Sequence, residues 1–397
     1  MSDHFTTRER GFSLVEMMIS LALGGIVLSA AVQMYTKSVG ATFIVQQRAE
    51  MQQDFRAASN MLTMDLSMAG GGLGTGASIA LPSASTPQYG CDQTGACHIN
   101  GAAGLYPITG GTPYMYGLIT GYQKGPTLNA VQGPTDVVTT IYTDANFYLN
   151  CYIPTVTAAG KAVIFSQPAG ATPWAGCLPN GVAAPQAVND SAAGLVAGDL
   201  VLMTLAGTPI VAEVTGAVTT GTDGSGNPTY TVPFANSDPL KMNQTAAGSG
   251  LNSVAKGAAG SASPAPCGGS GPCRLLVISY YVDNTITPPR LMRQISGHTA
   301  MPVVENVAYM NFSYDLFNDA TNSPAVNCTN PGAASDGCSG NSTGMLPNQI
   351  TKINILNMAL DSSQNGSQFG LANGYQRMDF QTSVSARNLT YINNYPN

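Results

Sequence analysis

The sequence predicts an α+β protein in which one long N-terminal helix precedes a head of antiparallel β-strands. Three observations support this prediction. An apolar run covers residues 12–35, a helical spacing of apolar residues continues to residue 69, and segments rich in Val, Ile, Tyr and Thr recur from residue 75 onward. We expect the first half of the helix to span a membrane and the head to carry long loops stapled by disulfides.

The composition excludes several classes of protein. Only 9% of the 397 residues are charged, far fewer than the ~25% of ordinary soluble domains. The net charge is −6 and Lys and Arg form no cluster, which argues against a nucleic-acid-binding surface because phosphate neutralisation needs grouped cations. The strand-like runs argue against a disordered acidic tail. The composition is typical of an extracellular β-rich protein.

The N-terminus combines a short polar leader with an apolar run. Arg8 and Arg10 stand just before residues 12–35, in which Glu16 is the single formal charge. The run matches the ~20 residues that a helix needs to cross a hydrocarbon core. The basic residues predict that the leader stays in the cytoplasm and that the C-terminal side faces outward. A secretory signal would be cleaved after its apolar stretch, whereas the polar boundary here precedes it, at Gly11–Phe12.

Glu16 is unusual inside an apolar segment. A charged group at mid-bilayer costs about 2.5–3.5 kcal/mol on insertion scales and normally has a partner or a function. One interpretation places the carboxylate close enough to the interface to be hydrated. The other requires a cation at the same depth.

Residues 11–16, with the sequence GFSLVE, resemble the signal of type IV prepilins and type II secretion pseudopilins. The resemblance implies a type IV pilin-like fold and a membrane peptidase that cuts between Gly11 and Phe12 and then N-methylates Phe12. It also implies that Glu16, the fifth mature residue, acts in assembly. The exposed α-amine of Phe12 on a neighbouring subunit would supply the cation that a buried carboxylate requires.

The helical pattern continues beyond the apolar run. Apolar residues recur at spacings of three and four, and Gly70, Gly71 and Gly72 form a helix stop. No proline interrupts 12–69, and a continuous helix of that length would be about 87 Å long. The apolar positions are Met51, Phe55, Ala58, Leu62, Leu66 and Ala69. The predicted parts are a cleaved leader (1–11), a membrane or filament-core half-helix (12–35), an amphipathic half-helix (36–70) and an extracytoplasmic head (71–397).

Strand-like segments and loop-like stretches alternate in the head. The predicted strands cover 137–142, 199–205, 210–218, 274–282, 290–295, 308–317, 350–360 and 380–387. The Gly/Pro/Ser/Asn-rich stretches between them predict insertions at about 75–135, 166–194, 241–272 and 320–348, with a shorter stretch at 219–229.

The eight cysteines fall into sequence neighbours within or beside these stretches. Their spacing and the three distant histidines do not match a zinc site. An even number of cysteines in such loops predicts local disulfides in an oxidising compartment. The candidate pairs are Cys91–Cys97, Cys151–Cys177, Cys267–Cys273 and Cys328–Cys338. The alternative, that some thiols are free or differently paired, stays open because sequence alone does not fix connectivity.

Further segments resemble PilW-type minor pilins. They are the helix end at 65–70, the strand pair at 276–284 and 290–293, the turn and strand at 303–307 and 310–314, and the last strand end at 386–389. Ser67 departs from this pattern, since a basic residue is common at its position. The order of the segments matches over 8–70 and 274–390, and the resemblance does not extend to 75–270.

This resemblance implies a structural subunit without enzymatic activity or a cofactor. Such a subunit joins other minor pilins and the major pilin at an inner-membrane assembly platform, primes pilus assembly, and takes part in twitching motility or adhesion. We expect it to be anchored in the inner membrane with a periplasmic head before assembly, in contact with membrane lipid, and to reach the pilus or cell surface afterwards.

Catalytic and metal-binding signals in the head are weak. Residues 340–344 (GNSTG) and 253–256 (SVAK) match nucleophile patterns but lie in loops without the required strand and helix, so we interpret both as chance. Asp223, Ser225 and Asn227 alternate as calcium ligands would, without the terminal glutamate of an EF-hand. A tight Asp-Gly hairpin between 210–218 and 229–234 is the competing interpretation. Trp174, beside Cys177, is expected to pack in a core.

Three alternative functions remain. A minor pseudopilin of type II secretion would use the same N-terminal chemistry. A membrane-tethered periplasmic hydrolase would need a convergent catalytic set, which the sequence does not supply. A pilus-displayed adhesin would bind its ligand through the 75–270 region.

Overall fold

We analysed a computed structural model of the whole chain. The structure describes residues 11–74, 77–83, 85–157, 160–170, 172–243, 251, 257–260, 267, 271–318, 322–331, 339–340, 345–364, 366 and 374–389. Within these residues one long helix is followed by antiparallel β-sheets, and disulfides join cysteines of the β-rich head. The predicted α+β, pilin-like fold class is therefore confirmed.

Helix α1 covers Leu14–Ser67, close to the predicted 12–69. The carbonyl of Ser13 accepts hydrogen bonds from the Glu16 and Met17 amides at 3.0 and 3.1 Å, which begins the helix. After Ser67 the chain forms turns through the three glycines. Gly72 has φ +72°, a left-handed conformation that favours glycine and ends helices.

The strands form several antiparallel sheets. Their bounds are β1 Ser78–Ala80, β2 Gln88–Tyr89, β3 Gly104–Leu105, β4 Ile108–Thr109, β5 Thr112–Tyr116, β6 Leu118–Gly121, β7 Thr127–Asn129, β8 Gly133–Pro134, β9 Val137–Thr143, β10 Ile153–Val156, β11 Ala162–Ser166, β12 Leu200–Leu205, β13 Thr208–Glu213, β14 Thr219–Thr222, β15 Pro228–Pro233, β16 Cys273–Asp283, β17 Arg290–Ile295, β18 Met301–Glu305, β19 Val307–Asn318, β20 Ser323–Cys328, β21 Ser339–Gly340, β22 Ile350–Asp361 and β23 Arg377–Ser385.

Two larger sheets contain most of the long strands. In the seven-stranded sheet, β16 pairs with β9, β12 and β17, while β6 pairs with β9 and β13 with β12. The five-stranded sheet has the order β21-β20-β19-β22-β23. A four-stranded sheet, β10-β11-β15-β14, lies within the region where the sequence shows no family resemblance.

The chain divides into two compact units. The first unit comprises residues 1–53 and 361–377. In it, the Arg48 Nε donates to the Gln376 Oε1 at 3.1 Å, and the Gln376 side-chain Nε2 donates to the Ile44 carbonyl at 3.2 Å. The C-terminal hairpin segment is therefore bonded to this part of α1.

The second unit comprises residues 54–360 and 378–397 and contains three hydrophobic clusters. The first cluster includes Phe55, Ala58, Leu62 and Leu66 from α1, which pack with side chains of the large sheets. The predicted apolar stripe is buried, as expected for an amphipathic helix on a sheet. The third cluster centres on the four-stranded sheet, where Trp174 packs edge-on against Tyr152 with ring centroids 5.3 Å apart.

The eight predicted strands all have counterparts, but two details of the prediction are wrong. The strand predicted at 210–218 ends at Glu213, and β14 rather than this strand forms the hairpin with β15. The stretch 75–135, predicted as loop-like, contains the eight short strands β1–β8. Strands of two to five residues rich in Gly, Pro and Thr are too short to show an alternating pattern.

Disulfides join three of the four candidate pairs. The structure bonds Cys91 to Cys97, Cys151 to Cys177, and Cys267 to Cys273. Cys328 is also disulfide-bonded, and its candidate partner Cys338 lies outside the described residues. Each of the three bridges is local, so each constrains one segment of the head.

Candidate processing and assembly site

The described residues at the candidate cleavage site, 11–13, are exposed. Gly11, Phe12 and Ser13 precede the helix without regular structure, and Phe12 is 83% exposed. A side chain added at Gly11 would meet nothing within 4 Å. Among the described residues, nothing therefore obstructs this peptide bond at Gly11, which has no side chain of its own.

Glu16 lies in the first turn of α1. Its carbonyl accepts a hydrogen bond from the Ser20 hydroxyl at 2.8 Å. Its side chain is exposed, and among the described residues we find no hydrogen bond or ion pair to the carboxylate. A negative charge is favourable at a helix N-terminus, and this carboxylate is free to accept a cation from another molecule.

The surroundings of Glu16 are apolar and uncovered. Leu14, Val15, Met17 and Ile19 are each more than half exposed. The helix is long and apolar enough to cross a membrane, and none of its most apolar window is buried. A carboxylate placed in this segment would enter lipid or a helix bundle together with its apolar neighbours, where it needs a partner.

A second polar site, at the other end of α1, was not predicted as a site from the sequence. Asp65 is fully buried and lies 2.7 Å from the Arg293 Nε. The hydroxyls of Tyr280 and Tyr142 donate to the same carboxylate at 2.6 and 3.1 Å. The Thr140 hydroxyl donates to the Asp65 carbonyl at 3.3 Å. Three strands, β9, β16 and β17, thus bond to one helical residue.

Burial and the Asp65 charge together raise the pKa of the Tyr280 hydroxyl, which remains a neutral donor. Removing one member of a buried ion pair typically costs about 3–5 kcal/mol. This cluster therefore fixes the end of α1 on the sheet. The sequence does contain an indication of this site. Asp65 lies next to Leu66 on the apolar stripe of the helix, and a carboxylate that is buried there needs a partner.

The candidate calcium ligands, the next predicted site residues, lie in a hairpin turn. The Asp223 carboxylate accepts bonds from the Ser225 and Asn227 amides at 2.9 and 2.8 Å, and the Asn227 side chain donates to it at 3.0 Å. These bonds close the β14–β15 hairpin turn, as the competing interpretation of an Asp-Gly hairpin requires. Residues 253–256 and 341–344, which matched nucleophile patterns, lie outside the described residues.

Comparison with known families identifies the N-terminal segment. The family model of the prokaryotic N-terminal methylation motif matches residues 6–32. The match includes the Gly11–Phe12 boundary, Glu16 and most of the apolar run. Together with the fold, it supports a type IV pilin-like protein, a structural substrate of prepilin peptidase that assembles with other pilins. No curated protein and no solved structure matches the chain significantly.

Proposed function

We propose that the chain is a minor pilin of the PilW type. In this proposal, prepilin peptidase removes residues 1–11 and N-methylates Phe12, residues 12–35 anchor the subunit in the inner membrane, and the head lies in the periplasm. The mature subunit then joins other minor pilins and the major pilin at the assembly platform. There it primes a pilus used in motility or adhesion.

The observation that carries the proposal is the state of Glu16. Its carboxylate is exposed and unpaired among the described residues, within the apolar run at 12–35, whose side chains are all exposed. A neighbouring subunit can supply both the apolar cover and, through the Phe12 amine, the counter-charge. An ordinary membrane anchor would gain nothing from a charge at this position.

Replacement of Glu16 by alanine tests the assembly role. We expect the E16A protein to be processed normally, with N-terminal mass spectrometry reading methylated Phe12, because the cleaved bond lies outside the helix. Surface pili and motility should be strongly reduced in a strain that depends on this subunit, because the substitution removes the carboxylate that pairs with the Phe12 α-amine of the neighbouring subunit.

Glu50 provides the matched control. It is an exposed carboxylate on the same helix, outside the apolar run, and it accepts a hydrogen bond from Gln46 at 3.1 Å. We expect E50A to leave processing and piliation unchanged. Normal piliation in E16A, or a mature chain that begins elsewhere than Phe12, would contradict the proposal.

A type II secretion pseudopilin is the alternative with the same N-terminal chemistry. The two functions differ in the phenotype of a deletion strain. Loss of pili with intact secretion supports the minor pilin, and loss of secretion with intact pili supports the pseudopilin.

A further inference from the structure

The head contains a cavity that the processing and assembly chemistry does not use. It has a volume of about 440 Å³ and lies between two walls. One wall is the segment Ile99–Leu105 with Tyr89, and the other is the segment Thr120–Lys124 with Val137. The volume falls within the ~300–1,000 Å³ typical of small-molecule sites. Both walls belong to the 75–270 region, which shows no resemblance to minor pilins.

The first wall is held by a disulfide-closed turn. Cys91 is bonded to Cys97, and the His98 amide donates to the Gly90 carbonyl at 2.9 Å. The chain then turns at Asn100, whose φ is +51°, and the Ala102 amide donates to the Ile99 carbonyl at 3.0 Å. The turn therefore places Asn100, an exposed residue, at the edge of the cavity on a constrained backbone.

The second wall is held by a buried carboxylate. Asp136 is 3% exposed and accepts the Gln123 amide at 2.7 Å and the Phe312 amide at 2.8 Å. Gln123 has φ +52°, which is uncommon for a residue other than glycine. Such strained positions persist where the surrounding structure fixes them, and they occur often at ligand sites. Gln123 and Lys124 thus project from a preorganised turn.

The lining defines the chemistry of a ligand. Tyr89, Ile99 and Val137 are buried and form an apolar floor, while the amides of Asn100 and Gln123 and the Thr120 hydroxyl are polar. Lys124 is the one charged residue in the described lining, and no ion pair to it is found in the described part of the chain. A ligand that satisfies this site carries a negative charge next to an apolar face.

Amides and hydroxyls both donate and accept hydrogen bonds. They match a ligand with several hydroxyl groups, which also donate and accept. A single acidic side chain would pair with Lys124 but would not by itself bond to the other three polar groups, which would stay hydrated. A sugar ring that carries a carboxylate places several hydroxyls beside its charge, so it can bond to Lys124 and to these groups together.

We propose that this cavity binds a sugar that carries a carboxylate, such as the terminal hexuronic or sialic acid of a surface glycan. Lys124 pairs with the carboxylate, the polar groups bind the ring hydroxyls, and the floor contacts the apolar face of the ring. The proposal goes beyond pilus assembly, and it gives the head a ligand of its own.

Binding is measured on the purified full-length protein in detergent, so the result does not depend on processing or assembly. The probes are oligosaccharides ending in glucuronic or sialic acid, the neutral glucose-terminated counterpart, and a glutamate-rich peptide. We expect saturation-transfer NMR and calorimetry to detect the acidic sugars. We also expect binding of the neutral sugar to be at least about tenfold weaker, as for loss of a charged hydrogen bond, and the peptide to bind more weakly than the acidic sugars.

Two variants and a control locate the site. K124A should weaken binding of the acidic sugars by about tenfold or more, and A103L should block it by filling the cavity. K161A removes an exposed lysine outside the cavity and should bind normally. Unchanged thermal unfolding shows that a variant is folded. Absence of sugar binding, unchanged binding in folded K124A, or a preference for the peptide would each overturn the proposal.

Discussion

At the scale of single residues, the head buries two carboxyl groups against each other. Glu213 is fully buried and Asp238 nearly so, and their side chains are hydrogen-bonded to one another. The Leu240 amide donates to the Glu213 Oε2 at 2.9 Å, and the Gln93 side chain donates to its Oε1 at 2.5 Å. Two adjacent charges cannot both be accommodated in such surroundings, so the pair holds a proton near neutral pH.

The pair predicts a pH dependence of stability. Burial raises the pKa of Glu213 to about 8. The hydrogen bond from the Leu240 amide lowers this pKa, whereas the Asp238 charge raises it further. The folded protein keeps this proton up to about pH 8, whereas the unfolded chain releases it near the ordinary value of 4.5. Stability therefore falls as pH rises between these values, by at most about 1.4 kcal/mol per pH unit.

The E213Q variant should remove this loss, because an amide stays neutral and donates an N–H where the protonated carboxyl donates its O–H. The difference in unfolding free energy between E213Q and the parent should shift in favour of E213Q from pH 5 to pH 8.5. Other groups, such as Asp136 with a pKa of about 6, cancel in this difference. A flat difference for E213Q would refute the shared proton.

At the scale of elements, the end of α1 depends on how closely the glycine turn approaches β9. The Thr143 amide donates to the Gly71 carbonyl at 2.9 Å, and a Cβ atom built on Gly72 would overlap the Thr143 hydroxyl. Gly72 therefore meets two requirements, a positive φ and the absence of a side chain.

Substitution by alanine separates these two requirements. Gly101 has the same φ of +72° but nothing lies within 4 Å of its built Cβ. We expect G101A to lower the unfolding free energy by about 1 kcal/mol, the cost of the left-handed conformation. G72A should lower it by a further ~1–3 kcal/mol, because the Cβ atom forces Thr143 to move. Equal losses in denaturant titrations would mean that the close approach is not maintained.

The same elements show what the sequence could predict. The long helix and the strands β9, β16, β19 and β22 carry enough residues for a clear periodicity, so their positions were predicted within a few residues. The short strands between residues 78 and 134 carry too few residues for a clear periodicity. Their pairing depends on turns and tertiary contacts, which the sequence pattern does not show.

The candidate sites differ in the same way. Gly11, Phe12 and Glu16 fall within six consecutive residues, so the sequence pattern alone predicts the processing site. The pairing of Asp65 with Arg293 and the cavity near Lys124 join residues far apart in sequence. Only the folded structure brings those residues together.

At the scale of the whole molecule, the apolar run decides in which environment the chain is soluble. Fourteen large apolar side chains between residues 12 and 35 are exposed. Soluble monomers rarely expose contiguous apolar patches larger than a few hundred Å². A chain of residues 12–397 should therefore partition into the detergent phase in a cloud-point separation, and a truncated chain 36–397 should remain in the aqueous phase as a monomer.

The truncated chain retains the Asp65 cluster, the disulfides and all three hydrophobic clusters, so its head should fold. A matched variant of chain 12–397 with Glu16 replaced by glutamine tests whether the charge matters for this partitioning. It should enter the detergent phase as the parent chain 12–397 does, because the apolar area and not Glu16 drives insertion. Recovery of chain 12–397 in the aqueous phase would show that another part of the molecule covers the run. The assignment of this segment to a membrane or filament core would then fail, whatever the role of Glu16.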